Sequence, residues 1–399
     1  MIIYVSTFMQ PSNKQIFEAA NKNYNPYSAH NLSYAIFEGL SNQINSDGLK
    51  VINIPPIGFW PRLSTLKNVP ETEEIVNGIE IKSIGYKNLY LYQYRSIYVN
   101  LYKKLCKLSS QEDIIFLVYS LNIPVITSIE RYRKKVNKKA KIVIIIPDFI
   151  EDVYSGSSIK SIIKRKIMGN PTGIYNSANG YVLLTEQMTE KTGSCKPYCI
   201  VEGVYNETEK REKKQDNDGV FKIFYSGMLF EKFGVKMLVE SFCRLANPKI
   251  KLQLCGCGDL ESYIKEKSAI DSRIEYLGML PRDEVLALQC EASLLVNPRQ
   301  PTGEFTKFSF PSKTIEYMAS GTPLLMYRLP GVPEEYYDYC FSIDNDNLEE
   351  TDLYEELSRI IGLTPEKLKN LGKKARDYVI ENKNSITQCS KIIALINSL

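Results

Sequence analysis

FSFPSKTIEYMASGTP, residues 308 to 323, predicts a short helix followed by a buried strand. Pro311 fits the first turn of a helix, because the N–H that proline lacks has no helical partner at that position. Gly321 and Pro323 are typical of a helix end, and the apolar run Leu324-Leu325-Met326 is typical of a buried strand. The helix therefore leads directly into a sheet.

The start of this helix favours an anion. If Pro311 is the first helical residue, the N-cap is Phe310, whose side chain cannot accept hydrogen bonds from the first-turn amides. Those amides and the helix dipole attract negative charge, and Lys313 adds a full positive charge. Ser312 and Glu316 are four residues apart and share a face. A phosphate site is the prediction, and a buried helix with an ordinary surface Glu and Lys is the alternative.

The segment resembles the nucleotide-sugar site of GT-B glycosyltransferases of the retaining family-4 type. By that resemblance, Glu316 holds the donor ribose, and the amides of Ser312 and Lys313 face the donor diphosphate. The family usually carries another glutamate eight residues earlier, where this chain has Phe308. Glu304 is the nearest carboxylate and would take that catalytic role only from a longer loop.

Residues 221–242 predict a strand, a turn at Gly227 and an amphipathic helix. This unit is similar to the first unit of the family's C-terminal domain, whose loop grips the diphosphate with an arginine and a lysine. Lys232 takes the role of that lysine, and Met228 stands where the arginine is usual, so Lys313 is expected to supply the second charge. The alternative for Lys232 is a solvated loop lysine.

Two further glycine turns follow predicted strands. Gly256 and Gly258 form a lone GxG, which is a weak dinucleotide signal and more often a tight strand-to-helix turn. The resemblance extends over about residues 220–345 and implies that the loops at Gly256 and Gly278 cradle the base. Arg299, at the end of the next predicted strand, joins the donor-binding candidates by the same resemblance.

The N-terminal half alternates strands and helices, which favours a parallel, doubly wound sheet. Strands are predicted near 1–8, 49–54, 79–85, 113–119, 141–147 and 180–185, and helices near 28–42, 93–109, 124–137, 158–168 and 186–192. The fold class is therefore α/β, and the resemblance implies two Rossmann-like domains facing a cleft, as in GT-B enzymes.

Domain limits follow from composition and from the resemblance. Residues 206–218 contain no aromatic or aliphatic side chain and predict a linker or a surface loop. We expect an acceptor-binding domain over 1–205 and a nucleotide-sugar domain over 219–383. The resemblance implies that a terminal helix over 384–399 packs back on the first domain.

Two residues of the first half are candidates for catalysis or acceptor binding. Ligands of doubly wound sheets lie beyond the carboxyl ends of the strands. That rule puts Asp148, after the strand 141–147, in the cleft, and His30 near its rim. The alternatives are a capping or salt-bridged aspartate and a histidine with a local capping or core role.

No metal or other cofactor is expected. The chain has one histidine, and its nine cysteines include no CxxC, which indicates reduced thiols in a cytosol. Residues 216–218 and 344–346 spell DxD, the metal-binding triplet of another glycosyltransferase fold, but both lie in polar stretches typical of turns. The N-terminus lacks a basic leader, and no apolar run reaches the ~18 residues of a membrane span.

Charge differs between the halves. Residues 1–200 have 24 Lys and Arg against 15 Asp and Glu, or +9, and residues 201–399 have 26 against 31, or −5. The excess is concentrated at Arg131, Arg133, Lys134, Lys135, Lys138, Lys139 and Lys141, with further lysines at 103, 104 and 107 and between 160 and 166. Such patches bind anionic lipid, nucleic acid or only water. An anionic membrane is favoured over nucleic acid, because no aromatic-interleaved or recognition-helix motif is evident.

The resemblance, together with the positive charge at the helix start, implies a retaining hexosyltransferase that takes its sugar from a UDP- or GDP-sugar without metal. Its acceptor would be a hydroxyl of a glycan or polyprenyl-linked intermediate of bacterial surface polysaccharide, at the cytoplasmic face of the membrane. Two alternatives remain open. A nucleotide-sugar epimerase of the same fold is disfavoured by the single histidine. A non-catalytic nucleotide-sugar-binding subunit would account for Met228 and Phe308 as losses.

Overall fold

The chain forms two compact units. The computed structural model describes residues 1–22, 27–90, 92–108, 113–149, 171–193, 195–205, 219–344 and 350–399. The first unit comprises Met1–Val204 and Ser385–Leu399, and the second comprises Tyr205–Asn384. The predicted helix over 158–168 and the predicted linker over 206–218 lie outside the described residues.

The first unit is built on an eight-stranded sheet. Its strands are β1 (Ile2–Ser6), β2 (Leu49–Asn53), β4 (Thr72–Val76), β5 (Ile79–Ser83), β7 (Ile115–Tyr119), β8 (Lys141–Ile146), β9 (Gly180–Leu183) and β10 (Tyr198–Ile200). Their spatial order is β10-β9-β8-β7-β1-β2-β5-β4, and all pairs are parallel except β4 with β5. Two short strands, β3 (Asn68–Val69) and β6 (Tyr86–Lys87), pair separately. The sheet is apolar on both faces because helices cover it, as parallel sheets require.

The described helices of this unit are α1 (Lys14–Ala20), α2 (Tyr27–Ser41), α3 (Tyr92–Leu105), α4 (Ile123–Lys135), α5 (Pro171–Ser177), α6 (Thr189–Thr192) and α13 (Ser385–Asn397). The terminal helix α13 packs against α2, whose Gly39 leaves no room for a side chain. A Cβ there would lie 2.2 Å from the carbonyl oxygen of Ser385. The Cys389 thiol donates to the carbonyl of Ile36 at 3.3 Å.

The antiparallel edge hairpin β4–β5 is a feature that the sequence reading missed. Its turn is Asn77-Gly78, with φ of 53° and 75°, the left-handed pair that a two-residue hairpin turn requires. The strand β4 alternates only between half-buried and exposed residues, so its hydrophobic pattern is weak. The turn dipeptide was the stronger signal.

The second unit contains a six-stranded, wholly parallel sheet. Its strands are β11 (Phe221–Ser226), β12 (Ile250–Cys255), β13 (Ile274–Gly278), β14 (Leu294–Asn297), β15 (Leu324–Tyr327) and β16 (Phe341–Ile343). Their order is β13-β12-β11-β14-β15-β16. The described helices are α7 (Val235–Cys243), α8 (Glu261–Ile270), α9 (Arg282–Glu291), α10 (Lys313–Ala319), α11 (Glu350–Ile361) and α12 (Pro365–Asn382). Since every strand runs the same way, the loops that follow β11 to β15 lie at one edge of the sheet.

Candidate functional site

Three glycine turns lie side by side at the carboxyl edge of the second sheet. The amide of Gly227, after β11, donates to the carbonyl of Cys255 at 2.8 Å. The amide of Gly256, after β12, donates to the carbonyl of Gly278 at the end of β13, also at 2.8 Å. The hydroxyl of Tyr276 donates to the carbonyl of Gly256 at 3.1 Å. These bonds continue the parallel ladder into the loops and give the edge a fixed backbone surface.

The close approach of these loops explains the GxG. A Cβ on Gly256 would lie 1.8 Å from the carbonyl oxygen of Gly227, and a Cβ on Gly258 would lie 2.3 Å from that of Leu229. Both glycines are therefore required by loop packing, so the tight-turn interpretation of the GxG accounts for them without a bound nucleotide.

Lys313 reaches from α10 across the Gly227 turn. A Cβ on Gly227 would lie 2.9 Å from Cε of Lys313, so the glycine leaves space for the lysine chain. Burial lowers the pKa of Lys313, while Glu316 opposes that shift and Arg282 adds to it. The lysine thus lies partly desolvated beside the first glycine turn, which Met228 follows in the chain.

Glu316 is held by two partners from α9. Its Oε2 accepts from Nη2 of Arg282 at 2.8 Å, and its Oε1 accepts from Nε2 of Gln289 at 2.5 Å. Burial alone would raise the pKa of the Glu316 carboxyl, but Lys313, Arg282 and the Gln289 hydrogen bond together hold it below its usual range. The carboxylate is therefore ionised and fixed in orientation.

A buried hydrogen-bond network connects Glu316 to β11. Nε2 of Gln289 also contacts Oγ of Ser226 at 3.3 Å. The hydroxyl of Tyr317 accepts from the Ser226 amide at 2.9 Å and donates to its carbonyl at 3.1 Å. The hydroxyl of Thr322 donates to the Gln289 carbonyl at 2.7 Å. These hydrogen bonds fix the end of β11, α9 and α10 relative to one another around the carboxylate.

Sequence reasoning missed Arg282 and Gln289. They are seven residues apart, two turns of one helix, so α9 presents both on one face. Two polar side chains on the same face were the available signal. The sequence alone did not indicate that this face meets Glu316, since α9 and α10 are separated by β14 and a long loop.

The start of α10 differs slightly from the prediction. The first helical residue is Lys313, two positions later than expected, and the N-cap is Ser312 rather than Phe310. The Ser312 side chain makes no capping hydrogen bond. Phe310 is instead buried, with its ring 5.2 Å from that of Tyr336. The reason is packing, because an aromatic side chain at this position is stabilised more by the core than by the helix end.

The other charged donor-binding candidates lie against aromatic rings. Lys232 is exposed and lies over the rings of its own neighbours Phe230 and Phe233, at 5.7 and 5.1 Å. Arg299 is buried, and its guanidinium lies 4.6 Å from the Phe305 ring centroid. The catalytic candidate Glu304 and the residue Phe308 both lie in the segment before α10. Glu304 is exposed on a 3-10 turn, whereas Phe308 is buried.

In the first unit the two candidates have different surroundings. Asp148 is exposed just beyond β8. Burial raises the pKa of Tyr119 at the end of β7, and the charge of Asp148 raises it further. His30 is 93% buried in α2, and its Nδ1 accepts from the amide of Met9 at 3.2 Å. The expected rim position of His30 is therefore wrong, because its ring is inside the unit and fixes the loop after β1.

Neutral polar groups fill the carboxyl edge of this sheet at β1, β2 and β5. Asn53 accepts from Ser6 and from the amide of Phe8, and donates to Ser83 at 3.0 Å. Ser83 in turn donates to Gln10 at 2.8 Å. All these side chains are buried, so the network orders the loop after β1 and carries no net charge.

Neither metal ligands nor membrane helices were found in the part of the chain that the structure describes. Within it, no group of three or more His, Cys, Asp and Glu side chains has a geometry suited to a metal ion. No described helix combines the length and the apolar character needed to cross a membrane. The triplet 216–218 and the end of the triplet 344–346 lie outside the described residues, while Asp344 contacts Arg328 at 2.9 Å.

The second unit matches a known family. Residues 220–361 match the family described as Glycosyl transferases group 1, which covers the glycine turns, α9 and α10. No curated protein matches the chain.

Solved structures match the chain over its whole length. Sucrose-phosphate synthase from Thermosynechococcus elongatus has a TM-score of 0.67 and 14% identity, covering 100% of this chain and 98% of that one. An E. coli trehalose-6-phosphate protein bound with UDP-2-fluoro glucose has a TM-score of 0.68 and 11% identity, covering 100% and 99%. HepE from Anabaena, in complex with UDP, has a TM-score of 0.58 and 11% identity, covering 100% of both chains.

The chain thus has the GT-B glycosyltransferase fold, and the prediction of an α/β protein with two Rossmann-like units is confirmed. The match to the family Glycosyl transferases group 1 lies within its second unit. The domain and the fold support a hexosyltransferase.

Proposed function

We propose that this protein transfers a hexose from a nucleoside-diphosphate sugar to a hydroxyl group of a glycan or lipid-linked acceptor. The observation that carries the proposal is the cluster of Lys313, Glu316 and Arg282 beside the Gly227 turn. An ionised, oriented carboxylate suits the ribose diol, and a desolvated cation next to backbone amides suits a diphosphate. Two of the similar structures contain UDP or a UDP-sugar analogue.

Residue roles follow from this placement. Glu316 holds the ribose, and Lys313 with the amides at 312 and 313 faces the diphosphate. The turns at Gly227, Gly256 and Gly278 line the nucleotide, with Gly258 supporting them and Lys232 and Arg299 contributing further positive charge. Departure of the diphosphate is assisted by these fixed charges, so no metal or other cofactor is needed.

The remaining roles concern the acceptor and the sugar. Asp148 is the candidate for deprotonating or binding the acceptor hydroxyl, since it is an exposed carboxylate beyond a strand end. Glu304 is the candidate for the carboxylate that contacts the donor sugar with retention of configuration. His30 contributes by fixing the loop after β1, because its Nδ1 is bonded to Met9.

We infer further that the acceptor is presented at an anionic membrane during synthesis of a bacterial surface polysaccharide. Residues 92–141 contain eleven Lys and Arg against three Asp and Glu. Two tyrosines lie beside this charge. The rings of Tyr98 and Tyr102 on α3 stack at 6.5 Å, and Arg131 of α4 lies 4.6 Å from the Tyr102 ring. Tyrosines beside basic residues suit the polar interface of a membrane.

The test is incubation of the protein with UDP- and GDP-hexoses, with and without a polyprenyl-linked sugar acceptor. Slow release of free hexose and nucleoside diphosphate, accelerated by acceptor, is the expected result. Interconversion of the sugar nucleotide would instead identify an epimerase, and binding without turnover would identify a non-catalytic subunit. Asp148→Asn is the matched variant, because it should reduce acceptor-dependent turnover and leave donor binding unchanged.

A further inference from the structure

Both oxygens of Glu316 accept hydrogen bonds from side chains of α9. Gln289 bonds to Oε1 and Arg282 to Oε2. The two partners differ in exposure. Gln289 is completely buried, whereas the Arg282 side chain is 31% exposed and that of Glu316 is 17% exposed. Of the two, the arginine is therefore the partner on the solvent side of the carboxylate.

The ribose in our proposed function needs access to the same carboxylate. A vicinal diol pairs with a carboxylate most favourably when each hydroxyl donates to a separate oxygen. The buried Gln289 cannot leave without opening the network to Ser226. The Arg282 guanidinium donates to Oε2 from the more exposed side chain of the pair, so it is the partner that a ligand entering from solvent meets first.

We propose that Arg282 covers Glu316 in the ligand-free protein and that the donor ribose displaces its guanidinium from Oε2. Arg282 is thus an affinity-determining residue of the donor site that competes with the substrate from within the chain. This inference rests on the proposed function, because it takes Glu316 as the ribose ligand.

Nucleosides without phosphates are the appropriate probes. For a nucleoside diphosphate, removing Arg282 has two opposing effects, since it frees the carboxylate and also removes a positive charge near the phosphates. For uridine or guanosine only the first effect remains. The affinity for a nucleoside therefore reports the competition directly.

The experiment is calorimetric titration of uridine and guanosine into the full-length wild type, Arg282→Gln and Arg282→Lys. We expect Arg282→Gln to bind the preferred nucleoside about two- to fivefold more tightly, the range that a partly exposed ion pair supplies. Arg282→Lys, which keeps a cation, should lie between. Arg273→Gln is the matched control, because Arg273 pairs with Asp271 at 2.6 Å before the same strand β13, at its opposite end.

The salt dependence of nucleoside affinity gives a second measurement, because the affinity should rise with salt concentration. Raising the salt concentration shortens the screening length from ~10 Å at 0.1 M to ~3 Å at 1 M and weakens the Arg282–Glu316 pair. The wild type should therefore bind the neutral nucleoside more tightly at high salt. Arg282→Gln should show no such increase.

Failure of this inference is distinguishable from failure of the proposed function. If Glu316→Gln weakens nucleoside binding but Arg282→Gln leaves it unchanged or also weakens it, the arginine positions the carboxylate and the competition is refuted. If neither nucleosides nor nucleoside diphosphates bind the wild type, or if Glu316→Gln binds them normally, the ribose role of Glu316 falls and this inference falls with it.

Discussion

The two units share a doubly wound architecture but use the carboxyl edges of their sheets differently. In the second unit, charged side chains from two helices converge on Glu316 beside interlocked glycine turns. In the first unit, the corresponding edge holds a buried, neutral network around Asn53 and Ser83, and the positive charge lies on α3 and α4. This difference motivates our proposals that the second unit binds the donor diphosphate and that the first unit meets a membrane surface.

The largest expected effect concerns that surface. Lys134, Lys135, Lys138 and Lys139 changed together to Glu should weaken binding to vesicles containing anionic lipid by on the order of a thousandfold, since each lysine contributes about 1 kcal/mol. Co-sedimentation measures the effect. The control changes four exposed lysines of α12 in the second unit, Lys367, Lys369, Lys373 and Lys374, and should bind like the wild type. Equal binding to neutral vesicles would refute the electrostatic account.

The next effect tests the interlocked turns. Gly256→Ala should lower the free energy of unfolding of the second unit by on the order of 3 kcal/mol, because its Cβ would lie 1.8 Å from a backbone oxygen. Gly78→Ala in the first unit has φ of +75° and open space, so it should cost only about 1–2 kcal/mol. Urea unfolding measures both. Similar losses in the two variants would show that the turns are not tightly packed.

The third effect concerns the ribose carboxylate. Glu316→Gln should reduce the affinity for UDP or GDP by at least about tenfold, since hydrogen bonds to a charged group are worth about 1.5–3 kcal/mol. Glutamine is preferred to alanine because it removes the negative charge but keeps the size of the side chain and its ability to hydrogen-bond with Arg282 and Gln289. Asp148→Asn, in the first unit, should bind as the wild type does. Calorimetry measures these affinities. An unchanged affinity in Glu316→Gln would show that Glu316 does not hold the ribose, and the proposed glycosyltransferase function would lose its strongest site residue.

A pH dependence separates the diphosphate from the nucleoside. Burial lowers the pKa of Lys313, so this lysine loses its charge below the usual ~10.4 of a lysine. Diphosphate binding favours the charged form. The affinity for UDP should therefore be constant at pH values below the pKa that Lys313 has in the free protein. Above that pKa the affinity should decrease by at most about tenfold per pH unit. The decrease should be larger for UDP than for uridine, because the uracil ring titrates in both ligands in this alkaline range and only UDP carries phosphates. Lys313→Arg should abolish this difference. A difference that persists in Lys313→Arg would assign the titration to another group.

The smallest expected effect is that of metal removal. If fixed cations and amides stabilise the leaving diphosphate, EDTA should leave turnover nearly unchanged. Initial rates with and without added Mg²⁺ or Mn²⁺ measure this. Activity that disappears with EDTA and returns with metal would bring the DxD triplets, and Asp344 first among them, back into consideration.

The two units also differ in how much of each could be predicted from the sequence. Most parallel strands of both sheets were predicted within a few residues, since buried runs such as KIVIIIPDF are local signals. The short strand β16, of three residues, was not predicted. The hairpin β4–β5 was missed because β4 is a half-exposed edge strand with little hydrophobic pattern. His30 was misplaced because a lone histidine carries no local signal of whether it faces solvent or core.

The sequence by itself determined the short helix that precedes a buried strand, the spacing of Lys313 and Glu316 and the glycine turns after the strands. Each of these is encoded within a few neighbouring residues, so short-range geometry is sufficient. Only the tertiary structure decided that Arg282 and Gln289 meet Glu316, and that Gly256 and Gly258 serve loop packing. Those contacts join segments tens of residues apart, and their formation depends on how strands pair and helices pack, which no local pattern specifies.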